Sequence, residues 1–284
     1  MDGFLLMNKP QGISSFDLVR EVKRRLGERK VGHSGTLDPM AEGLMIIALG
    51  QGTKLLEYLI GLDKRYFVKA KFGMISDTFD AEGEIEEMNP SAVFEREEVE
   101  KIIAEKFLGK ISQVPPKYSA LKVGGKRACD IVRAGGEVSM QAREVQIDRF
   151  ELVDYLWPTL SFEVDCGSGT YIRSLIHDLG QVLGCGAYVM ELRRDRVGDW
   201  MLGDAVSLED LREDDLICLE DFAKKFECLD LAKADLDALS DGRVLLGKKI
   251  EQGGVKMAFF EGKFLGVLES SSDQTGIKFK KMIV

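Results

Sequence analysis

The chain has 284 residues, 45% of them apolar, and a formal net charge of −9. That length excludes a small stapled module and fits one large domain, or a large one plus a small one; no apolar run approaches ~18 residues and no secretory leader pattern is visible, so neither a membrane-spanning nor a secreted protein is expected. Five cysteines without C-x-x-C spacing and only two histidines, His33 and His177, leave no disulfide frame or metal centre in view and predict the reduced thiols of a cytoplasmic protein.

Residues 4–7 read as a short strand ending at the turn Lys9-Pro10-Gln11-Gly12. Ser14 or Ser15 then caps a helix through Leu26, with Leu18, Val19, Val22 and Leu26 as its apolar stripe and Gly27 as its stop. Next comes Gly32-His33-Ser34-Gly35-Thr36-Leu37-Asp38-Pro39, which places one carboxylate in a turn rich in Gly and Pro. Two glycines three apart and a proline predict unusual dihedrals there. Asp38 is either a turn residue capping local N–H groups or a side chain held for chemistry. An apolar strand, 44–49, and a short helix, 53–60, follow. In 66–72 the alternation puts Tyr66, Val68, Ala70 and Phe72 on one face. Residues 93–108 fit an amphipathic helix with an acidic outer face.

Residues 112–145 differ in kind. Pro115-Pro116, Gly124-Gly125 and Gly135-Gly136 are interleaved with Lys117, Lys122, Lys126, Arg127, Arg133 and Arg143, the pattern of a functional or disordered loop. Charge is uneven throughout: 101–150 holds ten bases against five acids, whereas 204–241 holds thirteen acids against four bases. Screening limits each patch to roughly 8–10 Å, so an acidic total does not exclude a nucleic-acid partner. Strands at 145–154 and 159–166 lead to a helix at 170–183 with Ile172, Leu175, Ile176, Leu179 and Leu183 inward. Arg173 lies in its first turn, where the helix dipole disfavours a cation; a carboxylate partner explains that placement better than a surface arginine snorkelling past the helix end. The acidic stretch 204–241 marks a boundary, and short alternating segments after Gly242 predict a small β module.

The run Lys30 to Pro39, continued by Ala41-Glu42-Gly43-Leu44 and Gly50-Gln51-Gly52-Thr53-Lys54, resembles the signature of the TruB-type pseudouridine synthases. Four more blocks agree in order: Asn8-Lys9-Pro10-Gln11-Gly12, Lys64-Arg65-Tyr66, Tyr118-Ser119-Ala120-Leu121-Lys122, and Gly169-Thr170-Tyr171-Ile172-Arg173 with Leu192-Arg193-Arg194. The resemblance covers the first 200 residues, and the tail resembles that family's PUA-type module. It implies an α+β fold, with a mixed, mainly antiparallel sheet flanked by helices. Residues 1–228 would be the catalytic domain and 229–284 a small PUA-like RNA-binding domain.

The activity implied is isomerisation of a uridine in the T-loop of tRNA, at the position conventionally numbered 55, after the base is flipped out. Asp38 would be the nucleophile, at C1′ or on the uracil ring. Arg173 would hold it ionised, and Tyr66 would stack on the base. Leu192 would pack against the base, with His33, Lys9, Tyr118, Lys122 and Arg127 contacting substrate. No metal or cofactor is required, in keeping with a sequence that carries no P-loop or dinucleotide fingerprint. The partner would be tRNA, through its T stem-loop, with no guide RNA, protein partner or membrane, and the chain would act as a monomer. Ser34, Glu42 and Asn8 depart from the family pattern. Glu42 is expected to point away from Asp38, since an inward acid would raise its pKa. Three rival readings are an inactive RNA-binding scaffold, a guide-dependent relative, and a glycoside hydrolase, the last lacking a convincing second carboxylate.

Overall fold

The computed structural model describes residues 1–89, 91–251 and 253–283. Strand β1 (Gly3–Lys9) leads through the Gly12 turn into helix α1 (Ser15–Leu26). Ser14 caps α1 by accepting from the Asp17 N–H, Asp17 accepts from the Ser14 N–H in return, and Gly27 ends the helix left-handed at φ 65°. β2 (Val31–His33) and β3 (Glu42–Leu49) flank the Asp38 loop. A 3-10 turn and the short α2 (Leu56–Ile60) then feed β4 (Lys64–Phe72). A small antiparallel pair, β5 (Met74–Ser76) and β6 (Ile85–Glu87), precedes α3 (Arg96–Lys106) and β7 (Gly109–Gln113).

The basic insertion has local order of its own: a two-strand pair, β8 (Lys122–Val123) and β9 (Lys126–Arg127), followed by α4 (Ala128–Arg133). β10 (Arg143–Leu156), β11 (Thr159–Cys166), α5 (Ile172–Leu183), β12 (Ala187–Val197) and β13 (Trp200–Met201) complete the larger unit. After α6 (Leu219–Ala223) a second sheet forms from β14 (Cys228–Asp230), β15 (Leu245–Leu246), β16 (Val255–Phe260), β17 (Lys263–Ser270) and β18 (Gly276–Met282), with α7 (Lys233–Ser240) beside it.

The main sheet runs β1-β3-β12-β4-β11-β10-β7, with β2 added to β3 and β13 to β12. Its pairs are antiparallel except β3 with β12, where Arg194 sits opposite Gly43. That junction requires a glycine: Gly43 has φ 107°, and a Cβ there would run into the Arg194 carbonyl. The fold is the expected α+β arrangement.

The strand β4 alternates as its sequence predicts, and its buried face joins Phe162 and Val164 of β11, Val99 and Ile103 of α3, and the predicted stripe of α5 in one core. The opposite end of the sheet is closed by α1, whose Leu18, Val19 and Val22 pack on Leu5, Met7, Met45 and Ile47. A further cluster ties the second sheet to the first. Phe222 stacks between Phe4 and Trp200, at centroid distances of 3.4 and 4.8 Å, and Met257, Phe264 and Val267 of the small sheet complete it. The acidic stretch expected to be a boundary is therefore not a linker along its first part. Val206 bridges to Met7 and Ile217 to Phe4, so this part is laid along the free edge of β1.

Candidate active site

The Asp38 loop is rigid because its neighbours are buried and its backbone is tied down. Leu37 and Ala41 are 3% and 0% exposed, and Met40 lies in the same core. Ser15 at the start of α1 both donates to the Leu37 carbonyl and accepts from its N–H, each at 2.8 Å. The Gly12 N–H donates to the Pro39 carbonyl at 2.8 Å. The expectation of unusual dihedrals at Gly32 and Gly35 is not met, since neither has positive φ. Gly32 lies within β2, where a Cβ would press on Leu56. With Leu37 buried before it and Met40 and Ala41 buried after the half-buried Pro39, the Asp38 side chain is left one-third exposed.

Arg173 reaches it from α5. The polypeptide entering this helix is held by Gln113, whose amide accepts from the Tyr171 N–H at 2.8 Å and donates to its carbonyl at 3.0 Å. The Arg173 side chain, 4% exposed, is paired along both edges. Nη2 donates to Asp38 Oδ2 and to the Tyr118 carbonyl, both at 2.9 Å. Nη1 donates to Asp80 Oδ2 at 3.0 Å and to the Thr78 carbonyl at 2.9 Å. The sequence reading gave Arg173 a single carboxylate. The structure gives it two, and Asp80 is the more buried at 3% exposure. Burial raises the Asp38 carboxyl above the ordinary range, Arg173 opposes that, and Asp80 adds to it.

Asp38 and Arg173 open into a cavity of about 310 Å³ that is also lined by Tyr66, Leu192, Lys64 and Arg194. Tyr66 and Leu192 are both buried. Burial pushes the Tyr66 phenol pKa up, against the nearby Arg194 guanidinium, so the hydroxyl keeps its proton at neutral pH. A wider groove of about 820 Å³ shares Asp38 and Arg173 and carries His33, Tyr118, Lys122 and Arg127. Lys122 and Arg127 are exposed there. His33 accepts at Nδ1 from the Gly35 N–H at 3.3 Å, and burial and then Arg194 hold its pKa below the ordinary value. The groove therefore offers a ligand cations from the insertion and a neutral imidazole from β2, and the carboxylates of Asp77, Glu82 and Glu84 line it as well.

One expected substrate contact is corrected. Lys9 has no exposed surface, and its ammonium donates to the Pro10 carbonyl at 2.9 Å and the Ile13 carbonyl at 2.8 Å. Burial lowers its pKa to about 8 despite the nearby Asp38. It ties the Pro10 turn together beneath the Asp38 loop and has no surface to offer a substrate. Arg194, 2% exposed, went unremarked as a cavity residue; it donates to the Leu44 and Gly35 carbonyls at 2.8 and 3.2 Å and so clamps β3 to the Asp38 loop. Glu42 is paired across the sheet from Arg193, whose positive charge it supports. Among the described residues no helix is long and apolar enough to cross a membrane.

This geometry can present a carboxylate, held by one guanidinium, to a flat ring in the cavity that Tyr66 and Leu192 line. Comparison with known proteins gives that chemistry a family. Residues 23–172 match the model of the TruB family pseudouridylate synthase N-terminal domain, and residues 173–236 match that of the tRNA pseudouridylate synthase B C-terminal domain. The junction of the two matches separates Asp38 from Arg173, which the fold brings back together. A tRNA pseudouridine synthase B of Clostridium tetani (strain Massachusetts / E88) is 36% identical over 293 residues, covering 100% of both chains. Another, of Syntrophomonas wolfei subsp. wolfei, is 40% identical over 284 residues, covering 96% of this chain and 94% of its own. In fold, the chain superimposes over 99% of its length, and 85% of the other's, on a protein in the crystal structure of a Cbf5-Nop10-Gar1 complex, with a TM-score of 0.74 and 22% identity. The chain belongs to the TruB family of pseudouridylate synthases.

Proposed function

We propose that the chain converts a uridine in the T-loop of tRNA, at position 55, to pseudouridine, with Asp38 as the nucleophile toward the flipped nucleoside. The observation that carries this reading is the Asp38 carboxylate itself: Leu37, Met40 and Ala41 around it are buried, Arg173 grips one oxygen, and its free surface faces a cavity of about 310 Å³. Substrate and product are isomers. The N1–C1′ bond breaks, the uracil turns within the cavity, a C5–C1′ bond forms, the C5 proton leaves for solvent and N1 takes one up; the bond Asp38 makes to the nucleoside is broken again before product leaves. Nothing is oxidised or reduced, and no group is transferred to a second molecule. Tyr66 stacks on the ring and Leu192 packs against it while it turns, and water must be kept from the site, since it would otherwise release free uracil. Arg173 keeps Asp38 ionised and aimed.

The base must first leave its stack, at a cost of a few kcal/mol. Lys122, Arg127 and the neighbouring Arg133 offset it by gripping phosphates along the groove. His33 and Tyr118 meet the RNA beside the flipped nucleotide. Residues 1–228 are the catalytic unit and 229–284 a small PUA-like unit that extends the RNA-binding surface, in a chain that acts in the cytoplasm as a monomer, without guide RNA or protein partner.

The test is tritium release from C5-labelled uridine in a free T stem-loop, with protein in excess and nothing else added. Release approaching one tritium per RNA is expected. No release under those conditions would remove the catalytic reading, and free uracil in place of pseudouridine would point to a hydrolase.

A further inference from the structure

Backbone strain, expected beside Asp38, lies on the far side of Arg173. Phe79 has φ 64°, a left-handed conformation that residues bearing a side chain rarely adopt. The residues on either side of it supply both contacts to one edge of Arg173: the Thr78 carbonyl at 2.9 Å and the Asp80 carboxylate at 3.0 Å. A relaxed Phe79 would turn one of those groups away. Asp80 is prepared for its role by its own loop, because Oδ1 accepts from the Thr78 hydroxyl at 2.6 Å and the Glu82 N–H at 3.0 Å, which leaves Oδ2 for the guanidinium.

The strained residue is held from two sides. Its carbonyl accepts from the Val189 N–H of β12 at 3.0 Å. Its ring lies flat on the imidazole of His177, with centroids 3.8 Å apart and planes 14° apart. His177 follows Arg173 by four residues on α5, so the two side chains leave the helix on the same face, one turn apart. The His177 Nδ1 is buried with no hydrogen-bond partner, so no bond at that atom orients the imidazole and its face contact with Phe79 is left to do so. Neither ring lines the cavity or the groove.

We propose that His177 and Phe79 are positioning residues: their stack clamps the Thr78–Asp80 segment in its left-handed turn, which fixes one edge of Arg173 and thereby the angle at which the other edge meets Asp38. One helix thus carries the cation and, a turn later, the support for the loop that holds the cation in place. The inference rests on the reading of Asp38 given above.

The experiment uses the full chain and the C5-tritiated stem-loop at protein excess. His177→Ala should slow tritium release by roughly 10- to 100-fold, the scale of a small misplacement at a reacting centre, while the Kd for RNA stays within about twofold because phosphate contacts are untouched. His177→Phe, which keeps a flat ring, should recover the rate to within about threefold. The acid limb of the pH–rate profile should move to higher pH in His177→Ala, since a less well-placed Arg173 lets Asp38 hold its proton more readily, and should return in His177→Phe. If His177→Ala gives no cooperative melt, Phe79→Leu, which removes the ring and keeps bulk, carries the same expectations. A wild-type rate in His177→Ala, a His177→Phe variant no faster than His177→Ala, or a rate loss matched by weaker RNA binding would each overturn the proposal. Wild-type release is the internal control, and its absence would count against the functional reading rather than against the stack.

Discussion

The surroundings of Arg173 and the rim of the groove on the 112–145 insertion are built on opposite principles. Around Arg173 the guanidinium and Asp80 are buried while Asp38 is one-third exposed, and both guanidinium NH2 groups have two partners at 2.9–3.0 Å, with Nε buried and unpartnered among the described residues. On the rim, Lys122, Lys126, Arg127 and Arg133 are exposed, and among the described residues none of them forms an ion pair with an acid. A buried pair is worth having only with exact partners, since a stranded charge is severely penalised. Exposed cations act by number and are weakened by salt. The contrast separates two tasks: placing one carboxylate on one carbon, and holding a polyanion long enough for that to happen.

Changes at the first region should break chemistry and leave binding intact. Arg173→Ala is expected to have the largest effect among its supporting residues. Tritium release should fall by roughly 10³-fold or more, as when an electrostatic partner is removed from a reacting centre. Asp80 would then be a buried carboxylate without its cation, so the variant should also lose about 3–5 kcal/mol in a urea melt. Asp80→Asn keeps the shape and one acceptor; a rate loss of roughly 10- to 100-fold at unchanged RNA affinity is expected under single turnover.

Changes at the second region should do the reverse. Lys122→Glu combined with Arg127→Glu should raise the Kd for the stem-loop by roughly 10- to 100-fold and flatten the plot of log Kd against log salt by about two phosphate contacts. The rate at saturating RNA should stay within about threefold of wild type. A large loss of that rate would show that the insertion shapes the reacting centre and would blur the contrast.

The smallest effect concerns pH. Asp38 must be ionised to attack, and its folded pKa is raised above 3.8, chiefly by burial. The rate should therefore decline as pH falls through a midpoint above the ordinary aspartate range. The same shift makes folding take up a proton in the interval between the unfolded and folded pKa, so ionised Asp38 lowers stability above that interval. Asp38→Asn should accordingly melt at or slightly above the wild-type temperature, which differential scanning calorimetry can check.

Local pattern made much of this legible in the sequence. The stripes of α1 and α5, the alternation of β4 and the cap at Ser14 are short-range signals, and each lies where its spacing puts it. Asp38 was visible because Gly and Pro crowd its turn, and Arg173 because a cation is out of place in a first helical turn. The misses are long-range. Asp80 sits in a stretch of ordinary turn residues and gains meaning only when β5 and β6 bring its loop beside α5. Lys9 was a substrate contact only by family resemblance, and tertiary packing shows that the turn closes over it. Arg194 depends on the parallel pairing of β3 with β12, two strands far apart in the chain. A non-glycine residue in a left-handed conformation, as at Phe79, leaves no mark in composition at all.

The most direct measurement compares wild type and Asp38→Asn for tritium release from the C5-labelled T stem-loop at protein excess, with RNA affinity measured on the same preparations. Release approaching one tritium per RNA for wild type, none for Asp38→Asn, and affinities within about tenfold of each other are expected, because phosphate contacts dominate binding. Release by Asp38→Asn at the wild-type rate, or a loss of binding as large as the loss of turnover, would contradict the role given to that carboxylate.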